Sequence, residues 1–247
     1  SEGIYSIHAQ ADPLDVVLEV SEANNRASRS LFLSTASPFQ WADSFLIAVD
    51  DSSNLYYAGS DGDGTFSDFR RIWHLGGRYS RGVIIEDFDQ DGDLDFVAGR
   101  GIDSTAYYHL FLNDGNDGFT NLGPIGTLSN AGSYAMDMAG GDFNGDGYPD
   151  FVANGNSSTT GVFLNDRAGG FTSMELGLGG NGRGMDAADF NGDGILDFVR
   201  ARYSDGQTYL HPGNGDGTFG NAIFVVDPGS DPYGLAAGDF DGDGHAD

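Results

Sequence analysis

The chain has 247 residues and carries 38 acidic against 11 basic side chains, which gives a formal net charge of −27 at pH 7. Asp provides 33 of the acids, Arg provides every basic residue, and Gly occurs 40 times. Because Asp and Gly are poor helix formers and acidic surfaces repel phosphate, this composition argues against a helical bundle, nucleic-acid binding and attachment to anionic membranes.

Several other classes are excluded by what the sequence lacks. The absence of Cys excludes disulfides, zinc–thiolate sites and thiol nucleophiles. Apolar runs such as Phe45–Val49 are too short to cross a bilayer as a helix, so no direct membrane insertion is expected. The first residues, Ser1 to Gly3, show no signal peptide, and such a start fits a processed chain as well as a cytosolic one. Hydrophobic residues make up 39% of the chain, which predicts a folded protein.

Two degenerate repeat units are predicted at the start of the chain. Residues 15–18 and 44–47 have the composition of strands, and each precedes a Phe at the distance found in clearer units further on. A remnant of a loop comes before the first of them, at residues 12–15. Almost nothing remains near residues 40–42, so a fourth and a first strand are expected to be missing there.

The segment that follows contains the most unusual local cluster, with Arg70 and Arg71 beside Trp73. One interpretation is a fourth strand with alternating faces. Another is a contact surface for an acidic partner or a sugar, with the indole of Trp73 as a stacking platform. The turn before it resembles later Asn-Asp-Gly-type turns, so its acids Asp61 and Asp63 are interpreted as hairpin residues rather than as a second class of metal ligand.

One nine-residue motif then dominates the chain. It has the form Asp-Phe-(Asp/Asn)-x-Asp-Gly-x-x-Asp, and it occurs at residues 87–95, 142–150, 189–197 and 239–247. Phe-Val follows the first three copies. Apolar runs bounded by Asp, Asn and Gly are typical of short strands joined by tight turns, and no segment has a convincing helical period.

Each copy lies within the same order of predicted strands. A strand of small residues enters the loop, the Asp-Phe-Val strand leaves it, a third strand ends in an Asn-Asp-Gly-type turn, and a looser fourth strand leads onward. First strands are predicted at 81–85 and 233–237, and third strands at 55–57, 110–112, 162–164 and 208–210. Four strands in about 50 residues are typical of a β-propeller blade.

The predicted fold is therefore an all-β β-propeller of four-stranded blades, in a single domain over residues 1–247. Blades are expected at 1–40 and 41–77, both degenerate, then at 78–130, 131–180 and 181–230, with the start of a further blade at 231–247. Because an open fragment leaves edge strands unpaired, the sequence is expected to be an incomplete propeller that is truncated at its C-terminus.

The composition of the loop predicts a calcium site. Positions 1, 3, 5 and 9 are Asp or Asn in every copy, and position 6 is Gly, which lets the backbone turn sharply around an ion. Position 7 varies, as expected if only its backbone carbonyl binds. Oxygen donors without His or Cys favour Ca²⁺ over transition metals. Without a cation, the acids of such a turn would repel one another.

Three complete loops and a severed fourth give three to four expected Ca²⁺ sites. An EF-hand would need Glu at position 12, where this chain has Ala98, Ala153 and Arg200, and strands rather than helices are predicted around the loops. The predicted ligands are Asp87, Asp89, Asp91, Asp93, Asp95, Asp142, Asn144, Asp146, Tyr148, Asp150, Asp189, Asn191, Asp193, Ile195, Asp197, Asp239, Asp241, Asp243, His245 and Asp247.

These motifs, together with turns such as Asn214-Gly215-Asp216-Gly217-Thr218-Phe219, resemble the FG-GAP/VCBS repeat. The resemblance is good over residues 78–247 and poor over 1–77. It implies the calcium-bearing propeller of integrin α-subunits, certain fungal lectins and many bacterial surface and secreted proteins, with seven or so blades and Ca²⁺ on one side. An extracellular, cell-surface or periplasmic location is therefore expected, since weak calcium sites fill there and stay empty in the cytosol.

No catalytic constellation stands out in the sequence. It shows no Ser-His-Asp spacing, no phosphate-binding loop and no His-rich metal site, and the five His residues are scattered. The favoured interpretation is a non-catalytic binding or assembly module that contacts protein or glycan. The alternative is a carbohydrate-active enzyme (lyase or hydrolase), or its accessory domain, with catalytic residues that the sequence does not identify. Membership of a larger assembly stays open.

Overall fold

The computed structural model describes residues 7–8, 19–20, 45–50, 52–61, 65–77, 80–116, 118–132, 134–229 and 232–247. Within these residues the chain forms strands, turns and loops, and no helix long and apolar enough to cross a membrane occurs among them. The strand predicted at 15–18, the loop remnant at 12–15, the sparse segment at 40–42 and Asp63 lie outside the described residues.

Seventeen strands, numbered in chain order, make up the described fold. They are β1 (Ile7–His8), β2 (Glu19–Val20), β3 (Phe45–Val49), β4 (Asn54–Ser60), β5 (Phe66–His74), β6 (Val83–Glu86), β7 (Asp95–Ile102), β8 (Thr105–Asn113), β9 (Phe119–Leu128), β10 (Ala135–Gly141), β11 (Asp150–Gly155), β12 (Thr160–Asn165), β13 (Phe171–Leu176), β14 (Gly182–Ala188), β15 (Asp197–Arg202), β16 (Thr208–His211) and β17 (Ile223–Val226).

Consecutive strands pair antiparallel into separate sheets. Strands β6–β9, β10–β13 and β14–β17 form three four-stranded sheets, β3–β5 form a three-stranded sheet, and β1 pairs with β2. The prediction of an all-β propeller built from four-stranded blades is thereby confirmed. Within the described residues, the three-stranded sheet contains the strands predicted as the second to fourth of its blade.

One predicted strand is wrong. Residues 233–237 belong to no strand, although the equivalent segments β6, β10 and β14 do. A first strand pairs with the second strand of its own blade, and none of the described strands pairs with this segment. The segment is instead tied to the preceding blade, where the N–H of Ala237 donates to Asp186 Oδ2 at 2.7 Å.

Three rings fill the core of each complete blade. In the first of them, Phe96 stacks on Phe111 with ring centres 4.5 Å apart, and the edge of Phe119 packs against Phe96 at 5.1 Å. Each such cluster therefore has three members. They are the Phe that follows the ninth loop position, one ring of the third strand and the Phe of the next turn. The corresponding sets are Phe151, Phe163 and Phe171, and Phe198, His211 and Phe219.

Adjacent blades interlock at the second position of each loop. The ring of Phe88 packs edge-on against Phe171 of the next blade at 5.9 Å, while its carbonyl accepts a hydrogen bond from Asn165 Nδ2 at 2.9 Å. Phe143 repeats this arrangement, with its ring against Phe219 at 5.5 Å and its carbonyl bonded to the N–H of Gly217 at 3.0 Å. Each of these loops is thus held by the hairpin of the following blade.

The first strands lie next to one another and approach closely. The N–H of Arg81 donates to the carbonyl of Ala135 at 3.2 Å. A Cβ atom at Gly82 would stand 2.7 Å from the carbonyl oxygen of Met136, so only Gly allows this approach. The buried carboxylate of Asp137 on β10 accepts the N–H of Met185 on β14 at 2.9 Å, which joins these two strands directly.

Arg200, which is 1% exposed, joins the last complete blade to the one before it. Its Nε donates to Asn154 Oδ1 at 3.0 Å, and its two terminal nitrogens donate to the carbonyls of Gly179 and Gly180 at 2.9 and 2.6 Å. Burial, with a contribution from the charge of Arg202, lowers the pKa of Arg200 to about 10. The side chain thus fixes the segment that connects two blades.

We expect Arg200→Ala to lower the free energy of unfolding by about 3 kcal/mol, because it leaves one buried and two partly buried acceptors without their charged donor. Arg202→Ala is the matched control, since Arg202 is partly exposed and pairs with Asp205, a contact worth about 1 kcal/mol or less. Urea unfolding of both variants provides the measurement. Equal losses in the two variants would contradict the structural role of Arg200.

Asp137 gives stability a pH dependence of defined sign. Burial raises its pKa to about 7, against the opposing effect of the N–H groups of Met185 and Met138, and the charge of Asp186 raises it further. Since its pKa in the unfolded chain is about 4, the folded state binds the proton more tightly. This contribution to stability is fully present below pH 4 and is lost as the pH rises through about 7.

We therefore expect the free energy of unfolding, measured with Ca²⁺ in excess, to decline between pH 5 and pH 8 less steeply in Asp137→Asn than in the unaltered chain. Asp103→Asn, at an exposed turn residue with φ 46°, is the control and should keep the original profile. Denaturant unfolding at several pH values tests this. Superimposable pH profiles for all three chains would refute the assignment.

Candidate metal centres

The four acidic loops share one internal hydrogen-bond pattern. In the first loop, Asp87 Oδ2 accepts a hydrogen bond from the N–H of Gly92 at 3.1 Å. Asp89 Oδ1 accepts one from the N–H of Asp91 at 3.2 Å, and Asp91 Oδ1 accepts one from the N–H of Asp93 at 2.9 Å. The equivalent bonds recur in the other three loops. The alternating Asp and Asn side chains therefore wind the backbone into a tight turn with their oxygens on its inside.

Left-handed backbone at two positions makes this turn possible. Position 6 has positive φ in every loop, at Gly92, Gly147, Gly194 and Gly244. Position 4 also has positive φ, which was not predicted, although Gly at three of its four copies was the available signal. The exception is Gln90, with φ 62°, whose amide Nε2 donates to the carbonyl of Gly147 in the next loop. Gln90 thus connects two loops.

The acid at position 9 connects the loop to the rest of its blade. Asp95 is buried, and it accepts the N–H of Phe88 on Oδ2 at 3.0 Å and the N–H of Asn113, at the end of β8, on Oδ1 at 2.8 Å. The equivalent bonds recur at Asp150 and Asp197. In the fourth loop Asp247 accepts the N–H of Phe240 at 3.1 Å.

Positions 1, 3 and 9 bring their oxygens together. Carboxylate oxygens of Asp87, Asp89 and Asp95 lie within 4.8 Å of one another, and so do those of Asp239, Asp241 and Asp247. In the second and third loops position 3 is Asn144 and Asn191, which supply amide oxygens in place of a carboxylate.

One carboxylate oxygen of the first loop lacks a hydrogen-bond partner. Asp87 Oδ1 is buried and has no hydrogen-bond partner. A buried anionic oxygen without a partner is costly, and a hard divalent cation would satisfy it. The donor set, which consists of carboxylate and amide oxygens with no His or Cys side chain nitrogen or sulfur among positions 1, 3, 5 and 9, fits such an ion.

The electrostatics of the loops favour binding of a positive charge. Burial raises the pKa of Asp95 to about 7 and that of Asp150 to about 6, while backbone N–H groups partly offset the shift and neighbouring carboxylates add to it. Burial likewise raises the pKa of Glu86, next to Asp87, to about 7. Carboxylates crowded in this way are stabilised by a bound proton or, equally, by a bound cation.

Positions 5 and 7 are placed differently from the other predicted ligands. Asp146 in the second loop forms an ion pair with Arg167, whose Nη2 and Nε lie 2.9 and 3.2 Å from Oδ2. Although burial opposes the effect, hydrogen bonds from the N–H of Tyr148 and from Arg167 lower the pKa of Asp146. Position 7 donates its N–H to position 5 in every loop, and the role of its carbonyl in metal binding stays a prediction.

A groove away from the loops contains the basic and aromatic cluster singled out in the sequence. Arg70, Arg71 and Trp73 lie on β5, which confirms the predicted fourth strand. With Ile72, Phe111 and Phe119 they line a cavity of about 250 Å³. The two Phe residues belong to the next blade, and no sequence signal connects them to Trp73, since their contact depends on how blades pack.

The polar groups of this groove are held in place by neighbours on the same sheet. Arg70 lies 4.4 Å above the ring of Tyr57 and pairs with Asp68, and Arg71 Nη1 donates to Asn54 Oδ1 at 3.3 Å. Trp73 meets the ring of Phe111 edge-on at 5.8 Å, and 43% of its surface remains exposed. An indole face and two guanidinium groups are therefore presented together at the surface.

Comparison with known proteins gives a family match and a structural neighbour. A model described as an FG-GAP-like repeat matches residues 87–153, 142–200 and 189–247, which together cover more than half of the chain. No curated protein matches. Among solved structures, the chain resembles a lectin of Agrocybe aegerita described as specifically recognising non-reducing terminal N-acetylglucosamine. The two are 17% identical, with a TM-score of 0.51 over 92% of this chain and 67% of that one, a likeness that concerns the fold.

Proposed function

This chain belongs to the family of FG-GAP-like repeat proteins, and from that premise we propose that it is a calcium-stabilised, non-catalytic module that binds carbohydrate outside the cell or in the periplasm. Two features support the proposal. The acidic loops have the donor set that suits Ca²⁺, and the groove at Trp73 has the surface that suits a sugar.

The oxygens of positions 1, 3 and 9 would hold the calcium ion in each loop, with further oxygens from positions 5 and 7. When bound, Ca²⁺ would neutralise the crowded carboxylates. The chain itself already holds these groups in place, because Asp95 and its equivalents are bonded to backbone N–H groups. Sites of this kind in extracellular modules bind at about 10⁻⁴ to 10⁻³ M, so they fill at extracellular calcium levels.

The observation that carries the carbohydrate proposal is the groove lined by Arg70, Arg71 and Trp73. Sugar rings have apolar faces that pack on aromatic rings and hydroxyls that accept hydrogen bonds from guanidinium groups. The cavity of about 250 Å³ suits one sugar residue rather than a larger ligand. The structural neighbour, a lectin described as recognising a sugar, makes a glycan the first class of ligand to test.

We expect Trp73→Ala to weaken glycan binding about tenfold, which corresponds to about 1.4 kcal/mol. Phe69→Ala is the matched control, because Phe69 is a more exposed aromatic residue on the same strand that stacks on Tyr56 instead of lining the groove. A glycan array would identify ligands of the unaltered chain, and calorimetry would compare the variants. The carbohydrate proposal fails if no glycan binds, or if both substitutions have the same effect.

We also expect Ca²⁺ to raise the melting temperature, with about 1 kcal/mol of stabilisation per site at a few times the dissociation constant. Asp87→Asn removes the negative charge of this carboxylate. The remaining amide oxygen is expected to accept the N–H of Gly92, so an NH2 group takes the place of the unpartnered oxygen, and the substitution should abolish one site in a calorimetric titration. Asp103→Asn makes the same carboxylate-to-amide change at an exposed turn, and it should leave the number of Ca²⁺ ions bound per chain unchanged. Identical melting of the metal-loaded chain and of a chain shown by metal analysis to be calcium-free would rule out the stabilising role.

A further inference from the structure

One buried cation lacks the counter-ion that its position calls for. Arg183, on β14, is 9% exposed, and no carboxylate of the described residues forms an ion pair with it. Its Nη1 contacts the sulfur of Met136 at 3.4 Å, a weak acceptor, and its buried Nε has no hydrogen-bond partner. In a chain with 38 acidic residues, a buried guanidinium without an acid is unexpected.

Two aromatic rings hold this guanidinium in place. Its Cζ lies 4.6 Å from the ring centre of Tyr203 and 5.1 Å from that of Tyr233, and these two rings meet edge-on at 5.7 Å. Tyr233 remains 48% exposed, so one wall of the cluster is open to solvent. The rings orient the guanidinium but do not satisfy its N–H donors, because an aromatic face accepts no strong hydrogen bond.

A second cation lies close by. Arg81, at the start of the neighbouring first strand, is near enough for its charge to contribute to lowering the pKa of Arg183, although burial is the larger cause. The ring of Tyr134 lies 5.4 Å from the guanidinium of Arg81. Among the described residues, the groups that face Arg183 are therefore tyrosine rings and a like charge.

Other arginines of the described chain show how different Arg183 is. Arg200 donates to an amide and two carbonyl oxygens, and Arg202 pairs with Asp205 while lying over the ring of Tyr209 at 4.4 Å. Six residues separate Arg183 from Asp189, so an extended strand places the cluster about 20 Å from the acidic loop that follows β14. That loop therefore does not supply a carboxylate for Arg183.

We propose that Arg183, Tyr203 and Tyr233 form a binding site for a carboxylate or sulfate group carried by an acidic saccharide. The guanidinium of Arg183 has a donor without a partner, which an oxyanion would satisfy, and the half-exposed ring of Tyr233 would pack against the attached sugar ring. This site is separate from the groove at Trp73. The choice of a saccharide as the ligand rests on the proposed function. Recognition of an oxyanion by Arg183 does not depend on that function.

The test uses trigalacturonic acid, its neutral methyl ester, a sulfated disaccharide and inorganic sulfate as probes in calorimetry with the calcium-loaded chain. We expect an acidic saccharide to bind at least about tenfold more tightly than the methyl ester, because only the former carries the charge that Arg183 recognises. Equal binding of the acid and its ester, or no binding of any acidic probe, would overturn the proposal. Binding of inorganic sulfate as tight as that of the sulfated disaccharide would assign the site to a free oxyanion and overturn the saccharide source.

Variants identify the residue responsible. Arg183→Met preserves the length of the side chain and its packing between the two rings, and it should weaken binding of the acidic saccharide at least about tenfold. Arg202→Met removes the same charge from an already paired arginine and should bind normally. Tyr233→Ala, at a half-exposed position, supplies a second test should Arg183→Met fail to fold, and it too should weaken binding. Unchanged affinity in both Arg183→Met and Tyr233→Ala would refute the site.

A further variant separates the Arg183 site from the groove. Trp73→Ala should leave binding of the acidic saccharide unchanged, because Trp73 and Arg183 lie on different sheets. Loss of acidic-saccharide binding in Trp73→Ala alone would place the ligand in the groove and refute the Arg183 site. Failure of neutral glycans to bind would count against the groove and not against the oxyanion site.

Discussion

Each complete blade places one carboxylate in its interior, at the point where the acidic loop becomes the second strand. In the first such blade Asp95 accepts one N–H from the start of the loop and another from the end of the third strand. Burying a charged group is costly unless it is well bonded, and these two hydrogen bonds reduce that cost. A single side chain therefore joins the start of the loop to the end of the third strand, and Asp150 and Asp197 repeat this arrangement.

The loops also determine how blades associate. Because Phe88 and Phe143 project from the loops into the next blade, the same turn that gathers acids also supplies the apolar contact between sheets. A cation that orders the loop would thereby also strengthen the packing of that loop against the next blade. This coupling would give a bound ion a structural role between blades as well as within them.

Charge is distributed unevenly over the described residues. Acids concentrate in the loops, whereas arginines serve three purposes elsewhere: Arg200 fixes a connection between blades, Arg70 and Arg71 line a groove, and Arg183 lies buried among tyrosines. Although the net charge is −27, two small groups of residues thus contain arginines in different surroundings. The groove offers an exposed indole with partly paired cations, which suits a neutral sugar. Arg183 has a buried Nε–H donor without a partner, which suits an anion.

The repeated loop, its flanking strands and the all-β propeller fold were determined by the sequence itself, because Asp-Gly turns and short apolar strands depend on contacts between residues near one another in the chain. The same local pattern also predicts where the third strands end and where the hairpin turns lie. Only the tertiary structure decided which side chains meet across blades: Trp73 with Phe111, Arg200 with Asn154, and Arg183 with Tyr233. The strand predicted at 233–237 failed for the same physical reason, since a strand exists only where another strand satisfies its backbone hydrogen bonds.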